Sequence, residues 1–400
     1  MKASPRKDRL CVFKRFWTFC FTVVVVSLVC PSTVDACQIL VSNSEEFHQA
    51  IKKLEFGTEL LIAPGTYRGE IQVNNVSGTA DNPIVISGLS PEKPPLIHGG
   101  EAFGFHLQDC GYITLRGIVV KGFQGNGINI DDGGTYDTPS HHIHLEDLTI
   151  LETGPTGNHD ALKMSGVDFF VVKNCRFEGW GGSGVDMVGC HHGVVKGCFF
   201  EGLADYSQFD GVTMKGGSGE IIVERNFFRN AGRIAVKSGG HTGPKWFRPL
   251  GVTYEAKDIE IAGNRIVGGE VTVAWIASVK NRVHNNTIVF PRKFVLLITQ
   301  GDHDDTFEPC GNASFSENLV VYDSRMNKPM DIGKGALNHK LRFHRNAWFQ
   351  VDGKGIRELL IEEEGVYQVD PQLDSFVSPT MTMRSKRAVL KGIGADAYRR

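Results

Sequence analysis

Short runs that alternate apolar and polar residues recur along most of the chain. Five phrases share a six-residue frame in which the third and fifth positions are apolar: NGINID from Asn126, DALKMS from Asp160, SGVDMV from Ser183, DGVTMK from Asp210 and GRIAVK from Gly232. Alternation with this period is typical of a β-strand that buries one face. The phrases begin 22 to 34 residues apart, so each predicts one strand of a repeat.

A second repeat alternates with these phrases and continues after them; it reads FVVKNCRF, GVVKGCFF, IIVERNFF, IEIAGNRI, RVHNNTIV, SFSENLVV and RFHRNAWF. One position of this repeat holds Cys175, Cys198, Asn226, Asn264, Asn286, Asn318 and Asn346. Asparagines at equivalent positions of stacked strands can bond through their amides to the next strand, about 4.8 Å away. We therefore predict a ladder of asparagine side chains.

Both repeats together predict an all-β chain folded as a right-handed, single-stranded parallel β-helix. Each unit is too short for a pair of helices, and its strands end at Gly or Asn turns. We assign residues 37–350 to the β-helix with its N-terminal cap, and residues 351–400, in which the repeat is weak, to an irregular C-terminal wrap.

The open N-terminal end of such a solenoid needs a cover. The segment NSEEFHQAIKKL places Phe47, Ala50, Ile51 and Leu54 on one side of a helix. Asn43 and Glu46, at its start, have the spacing of a capping box. We predict an amphipathic helix that closes this end.

The first 36 residues have the three parts of a secretory signal peptide. MKASPRKDRLCVFKR is basic, FWTFCFTVVVVSLVC is apolar, and PSTVDA ends with Val34 and Ala36 at the small-residue positions before a cleavage site. The apolar run is shorter than the ~20 residues that span a bilayer, so no transmembrane anchor is expected in the mature form. A secreted or periplasmic protein is predicted, with a lipid anchor on Cys37 as the less favoured alternative.

Composition does not change the predicted fold, but it argues against some kinds of partner and site. The formal net charge is -2, which argues against a nucleic-acid partner, and we expect a monomer. Six cysteines follow residue 36: Cys37, Cys110, Cys175, Cys190, Cys198 and Cys310. None forms a CxxC pair, so zinc or redox motifs are not supported. Export permits disulfides, whereas the equal repeat positions of Cys175 and Cys198 also fit a buried stack.

Strand alternation assigns the charged residues of the first repeat to an outer face. Val212 and Met214 point inward and Lys215 outward, and superposing the phrases places Lys237 in the same slot one coil later. The outer face carries Asn129, Asp131, Lys163, Asp186, Lys215 and Lys237. Two ammonium groups about 5 to 7 Å apart repel by roughly 2 to 3 kcal/mol at an effective dielectric constant of 20, which would lower the pKa of one lysine and make it a base. The alternative is a pair of solvated lysines aligned by chance.

A long insertion, GGHTGPKWFRPLGVTYEA, follows Lys237. It contains five aromatic or basic residues: His241, Lys245, Trp246, Arg248 and Tyr254. Such a mixture suits one wall of a groove over an anionic sugar chain. The alternative is a surface loop in which Trp246 and Phe247 pack on the solenoid.

The segment DGVTMKGGSGEIIVERNFFRNAGRIAVKSGG, with the preceding APGTYRG and GTADNPIVISG, resembles the alginate lyase and chondroitinase B family of parallel β-helix polysaccharide lyases, which have a pectate-lyase-like fold. The likeness extends over residues 38–350 in architecture and over about 160–245 in motifs. It implies a secreted enzyme that cleaves a uronate-containing polysaccharide, alginate-like or chondroitin-like.

In that family a lysine abstracts the sugar C5 proton, an arginine one coil later assists, and acidic residues help to bind calcium. By resemblance Lys215 takes the place of the base, Lys237 that of the arginine and Asp210 that of an acidic residue, with Asp186 as a second calcium ligand. This sequence departs from the pattern because Lys237 replaces arginine and because Ser207 and Gln208 stand where carboxylates are expected. Calcium is a possible cofactor.

Elimination from a 4-linked uronate needs a cation at the carboxylate, a base, and an acid for the leaving oxygen. The candidate catalytic residues are Lys215, Lys237, His241 and Tyr254; the candidate substrate-binding residues are Lys163, Lys245, Trp246 and Arg248. Three other functions stay open. A glycoside hydrolase would use a carboxylate pair from Asp131, Asp132, Asp160, Asp186 and Asp210, a mannuronan C5-epimerase would share the proton abstraction, and a non-catalytic protein would only bind the glycan.

Overall fold

The computed structural model describes residues 37–337, 340–353 and 362–400, so the predicted signal peptide lies outside the described residues. Three sheets extend along these residues, and each coil of the chain visits the first, second and third sheet in that order. Strands that are neighbours within a sheet are parallel. The all-β, parallel β-helix prediction is confirmed.

Among the described residues, the strands of the first sheet are Gln38–Val41, Glu59–Ile62, Ile84–Gly88, Gly111–Arg116, Ser140–Glu146, Val167–Asp168, Val171–Lys173, His191–Lys196, Ser218–Glu224, Ala256–Lys257, Glu260–Ala262, Ser278–Val279, Arg282–His284, Ala313–Ser316 and Leu341–His344. Those of the second sheet are Thr66–Arg68, Leu96–His98, Val119–Lys121, Thr149–Leu151, Arg176–Glu178, Phe199–Glu201, Phe227–Arg229, Arg265–Val267, Thr287–Val289, Leu319–Tyr322, Ala347–Gln350 and Val366–Tyr367. Those of the third sheet are Ile71–Asn74, Phe103–Gln108, Asn126–Asp131, Leu162–Ser165, Ser183–Val188, Asp210–Lys215, Ile234–Gly239, Val271–Ile276, Phe294–Thr299 and Met330–Ile332.

Apolar side chains fill the interior and repeat from coil to coil. On the second sheet the rings of Phe177, Phe200 and Phe228 stack with centroid separations of 4.8 and 4.7 Å, the spacing of the strands themselves. Each of these rings is fully buried. Burial of a side chain of this size contributes about 1.5 to 3 kcal/mol. The stacked interior thus holds successive coils in register.

The asparagine ladder stands at the turn from the first to the second sheet. The amide Nδ2 of Asn226 donates to Oδ1 of Asn264 at 3.0 Å, and the bond repeats from Asn264 to Asn286, from Asn286 to Asn318 and from Asn318 to Asn346 at 2.9 Å. Each Oδ1 also accepts the backbone N–H of the preceding asparagine. The ladder prediction is confirmed.

The α-helix Ser44–Ile51 covers the N-terminal end. The Asn43 side chain accepts the N–H of Glu46 at 3.0 Å, and Phe47, Ala50, Ile51 and Leu54 are buried, as predicted. Glu46 completes the cap differently from a standard capping box because its carboxylate bonds to Ser42 N–H at 2.8 Å. The helix packs Phe47 on Tyr67 and Phe105 of the first coils.

C-terminal residues that follow the strand Val366–Tyr367 pack on the outer face of the second sheet. They include the short 3₁₀ helices Ala388–Leu390 and Ala395–Ala397. Leu390 and Ile393 are buried there, and the Tyr398 hydroxyl donates to Glu224 Oε2 at 2.7 Å. This segment therefore shields apolar residues that the later coils expose on that sheet.

The six cysteines after residue 36 are free thiols, and each except Cys37 is buried. Burial raises the pKa of Cys110 to about 11 and that of Cys190 to about 12, so these thiols stay protonated. In the part of the chain that the structure describes, none of the helices has the length and apolar character needed to cross a membrane.

Candidate functional site

A cleft of about 520 Å³ opens on the outer face of the third sheet, at the C-terminal ends of its strands. The loop after Asp131 forms one wall and the insertion after Gly240 forms the other. The functional side chains that line it are Asp131, Lys163, Ser165, Lys215, His241 and Trp246. This is where the sequence placed its outward charges.

Strand register arranges the outward residues of the third sheet in two neighbouring rows. One row contains Asn129, Lys163, Asp186, Thr213 and Lys237. The other row contains Asp131, Ser165, Val188 and Lys215. The prediction that Lys215 and Lys237 occupy the same slot is wrong, because Lys237 pairs with Thr213.

The error comes from the turn before the strand Ile234–Gly239. Superposing the phrases aligned Gly232 with Asp210, whereas Asp210 pairs with Ile234. Gly232 has a φ of 91° and its N–H bonds to Asn230 O at 2.8 Å, so this residue belongs to the turn. The strand starts two residues later than the alignment implied, which moves Lys237 into the neighbouring row.

The charge network at the cleft floor centres on Asp186, whose side chain is fully buried. Its Oδ2 accepts a bond from Lys163, and its Oδ1 lies 3.1 Å from Lys215 Nζ. Burial alone would raise the pKa of Asp186, but the two ammonium groups hold that pKa below its usual value. Lysines from different rows are therefore joined by one carboxylate.

Asp160 adds a second carboxylate behind Lys163. Its Oδ1 accepts Ser183 N–H at 2.6 Å, and its Oδ2 lies 3.6 Å from Lys163 Nζ. Burial and the nearby charge of Asp186 raise the pKa of Asp160 to about 6. Burial opposes the charged form of Lys163 as well, yet Asp186 and Asp160 raise the pKa of this lysine above its usual value. Lys163 is thus held as an ammonium ion.

Lys237 forms a separate pair with Asp210. Its Nζ bonds to Asp210 Oδ2, which also accepts the Thr213 hydroxyl at 3.2 Å. Lys237 is not among the residues that line the cleft. Lys163 does line the cleft, whereas the catalytic role of Lys237 stays a prediction.

The donor set does not fit a calcium ion. Asp186 and Asp210, the two candidate ligands, are each bonded to lysine, so calcium would have to displace an ammonium group from either carboxylate. Within the described residues, no group of three His, Cys, Asp or Glu side chains is arranged to hold a metal ion. Calcium also prefers six to eight oxygen ligands.

The insertion contributes three of its five candidate residues to the cleft: His241, Trp246 and Arg248. The Trp246 ring is about half exposed. Lys245 lies over the Trp246 ring, with Nζ 4.8 Å from the centroid, and does not line the cleft. Tyr254 also lies outside the lining, where Lys257 Nζ is 4.9 Å from its ring.

Arg248 lines the cleft with its guanidinium already paired. Its Nη2 donates to Asp132 Oδ1 at 2.9 Å, its Nε donates to Asp132 Oδ2, and its guanidinium lies 4.2 Å from the Tyr136 ring centroid. Both partners of this ion pair are buried. Arg248 therefore ties the insertion to the opposite loop, and its part in binding substrate stays a prediction.

Glu255 is a buried residue of the site that sequence reasoning missed. Its Oε2 accepts Gly216 N–H and the Thr242 hydroxyl, both at 2.7 Å. Its Oε1 accepts Thr242 N–H and lies 3.1 Å from His303 Nε2. Gly216 follows Lys215 and Thr242 follows His241, so one carboxylate fixes the backbone beside both cleft residues. A single glutamate in an irregular loop carries no sequence signal of this role.

Comparison with known proteins agrees with the architecture. Residues 160–321 match the family described as right handed beta helix region. An alginate lyase from Paenibacillus sp. str. FPU-7 superposes with a TM-score of 0.52 and 16% identity, covering 76% of this chain and 97% of that one. A GH136 lacto-N-biosidase from Eubacterium ramulus superposes with a TM-score of 0.52 and 11% identity, covering 84% and 68%.

No curated protein matches this chain. At these identities the superpositions establish the fold alone, and the fold hosts both a lyase and a glycoside hydrolase. The chain is a right-handed parallel β-helix protein, and it shares that fold with polysaccharide-cleaving enzymes.

Proposed function

We propose that this protein is a polysaccharide lyase that cleaves a uronate-containing polysaccharide by β-elimination. The observation that carries the proposal is the pair Lys163 and Lys215, which share the buried Asp186 carboxylate at the floor of an open cleft. An ammonium group fixed in a cleft can bind a sugar carboxylate and acidify the adjacent C–H.

We assign different roles to the two lysines from their ion-pair partners. Lys163 has two carboxylate partners, Asp186 and Asp160, and keeps its charge, so it suits the sugar carboxylate. Lys215 has one partner at 3.1 Å and is the less tightly held, so we assign it, as the neutral amine, the removal of the C5 proton, which makes it an ammonium ion. The C4–O bond then breaks as the C4=C5 double bond forms, and His241 gives a proton to the leaving oxygen. Trp246 offers an exposed ring for a sugar face.

A hydrolase is less well supported, because its two carboxylates must reach the glycosidic oxygen and a water molecule. Asp132, Asp160, Asp186 and Asp210 are buried, and a lysine or arginine lies within ion-pair distance of each. Of the carboxylates considered, Asp131 alone is partly exposed in the cleft, where it bonds to His106. One accessible carboxylate does not make an acid–base pair.

The proposal includes export, because a uronate-containing polysaccharide lies outside the cell; the predicted signal peptide precedes the described residues. It also includes activity without calcium, since Asp186 and Asp210, the candidate calcium ligands, form ion pairs with lysines.

The test is an assay of the purified mature protein on alginate, polygalacturonate and chondroitin, with calcium and with a chelator. We expect ultraviolet absorbance from a 4,5-unsaturated uronate on one of these polymers, and expect it to survive the chelator. New reducing ends without that absorbance would indicate a hydrolase. Altered C5 stereochemistry without cleavage would indicate an epimerase, and binding without any change in the polymer would indicate a non-catalytic protein.

Glu255→Gln is expected to lower kcat by about tenfold to a hundredfold while KM changes little, an effect typical of a misplaced catalytic group. The four groups around the carboxylate offer N–H or O–H donors, so the amide NH₂ of glutamine must face at least one of them. Steady-state kinetics on the responsive polymer measures this. Glu220→Gln, an exposed glutamate on the first sheet, is the control. A lower melting temperature with unchanged kcat would limit Glu255 to a role in stability.

A further inference from the structure

A second opening, the arginine trough, lies at the corner between the second and third sheets. It has a volume of about 530 Å³, close to that of the cleft, and is lined by Ser207, Gln208, Asn230, Gly232, Arg233 and Arg292. Nothing in the proposed chemistry uses this opening. Its lining is polar, and two of its residues carry permanent positive charge.

Arg233 and Arg292 each have side-chain N–H groups that can still donate to a ligand. Both are exposed, and in the described parts of the chain neither lies within ion-pair distance of a carboxylate. Glu270 is close enough for their charges to help to lower its pKa, but a bond from Lys293 at 2.6 Å is the main cause. Arg292 Nε makes a long bond of 3.4 Å to Gly269 O, and the guanidinium of Arg233 lies 5.1 Å from the Phe209 ring centroid. Planar guanidinium groups that are exposed and have no carboxylate partner are suited to bind carboxylates or sulfates.

The wall of the arginine trough is held in place before any ligand arrives. The Gln208 side chain accepts Leu203 N–H at 2.6 Å and donates to Leu203 O and to Tyr206 O. The backbone N–H of Ser207 bonds to Pro155 O at 2.9 Å, which ties this loop to the preceding coil. A preformed wall reduces the entropy lost on binding.

The arginine trough and the cleft lie at opposite ends of the same strands. The strand Asp210–Lys215 follows Phe209 at the trough and ends with Lys215 in the cleft, a length of about 20 Å at 3.3 Å per residue. The adjacent strand Ile234–Gly239 follows Arg233 and carries Lys237 midway. Cationic side chains therefore extend from one opening to the other across the third sheet.

We propose that the arginine trough binds acidic groups of the same polyanionic chain, several sugars away from the residue in the cleft. This inference rests on the proposed function and extends it, because it makes the preferred substrate a long polymer. The shared ligand chemistry is an anionic sugar substituent, either the carboxylate of a uronate or the sulfate of a sulfated glycan.

The test compares Arg233→Gln/Arg292→Gln with Arg342→Gln, a control at an exposed arginine of the first sheet. Calorimetry measures binding of alginate, polygalacturonate and sulfated chondroitin, and of a trisaccharide from each, in a Lys215→Ala background to limit cleavage. We expect the double variant to bind the recognised polymer about tenfold more weakly, the effect of losing two charge-assisted contacts, and the trisaccharide unchanged. The control should match the parent, and the polymer that responds separates carboxylate from sulfate.

The proposal for the arginine trough would be wrong if the double variant bound the polymer as tightly as its parent. It would also be wrong if the double variant lost as much affinity for the trisaccharide as for the polymer. Failure of every polymer to bind would overturn it too. The outcome is separable from the lyase proposal, because unsaturated product is assayed on the protein that keeps Lys215. Weakened polymer binding by the double variant, with no product from that protein, would support the arginine trough and contradict the lyase. Product from that protein, with polymer binding unaffected in the double variant, would support the lyase and contradict the arginine trough.

Discussion

Replacement of Lys215 by alanine should lower kcat/KM for the responsive polymer by at least about a hundredfold, the usual contribution of a general base. The side chain ends in the cleft, and Gly240 packs against its aliphatic stem; a Cβ on Gly240 would lie 3.3 Å from Lys215 Cβ. Its removal takes away the amine and leaves Lys163 and Trp246, which are carried by other segments. The rate of formation of the unsaturated product measures the effect.

Lys196→Ala is the matched control, because Lys196 is an outward lysine at the end of a first-sheet strand, on a different face of the solenoid. It should keep the parental rate. If Lys215→Ala kept its activity while Lys163→Ala or His241→Ala lost it, the base would have to be reassigned. If Lys215→Ala and Lys163→Ala lost polymer binding equally, Lys215 would bind the sugar carboxylate, as Lys163 is proposed to do.

Asp186→Asn should lower the free energy of unfolding by about 3 kcal/mol, the scale reported for breaking a buried ion pair from one side. Asparagine has nearly the same volume, so the change removes the charge without opening a cavity. Lys215 then loses the carboxylate it faces, and Lys163 keeps only Asp160, 3.6 Å away. Denaturant unfolding measures the loss, and the activity should fall with it because both lysines lose their common anchor.

The same variant should change how stability depends on pH. The folded pKa of Asp186 is lowered, so its contribution is present above the unfolded value near ~3.9 and is lost as the pH falls below it. Wild type should therefore lose its advantage over Asp186→Asn in acid. Asp147→Asn, at an exposed carboxylate, should shift stability by less than about 0.5 kcal/mol. A wild-type advantage that persisted unchanged in acid would show that the carboxylate charge contributes nothing.

The elements with a strong local repeat were predictable. The asparagines from Asn226 to Asn346 and the apolar positions of the strands form stacks because each coil presents the same inward residues to the next. The capping helix was equally clear, since its apolar stripe and Asn43 are local signals. The outward row that includes Lys163 and Asp186 was recognised because strand alternation assigns faces without knowledge of the rest of the fold.

The site itself depended on features with no local signature. The two-residue shift at Gly232 separates Lys215 from Lys237, and it arises from hydrogen bonds of a turn to the preceding coil. Arg248 appeared suited to substrate, but it is paired with Asp132, 116 residues away in sequence. Glu255 gained its role from groups on three separated segments.

The sequence by itself determined the solenoid, its cap and the face on which charge collects, because these follow from periodicity and from contacts between equivalent residues of adjacent coils. Tertiary structure alone decided which lysine meets which carboxylate and which insertion residues line the cleft. Those pairings depend on turn geometry and on loops that meet over a distance in sequence, where a shift of one or two residues redirects a side chain to another neighbour.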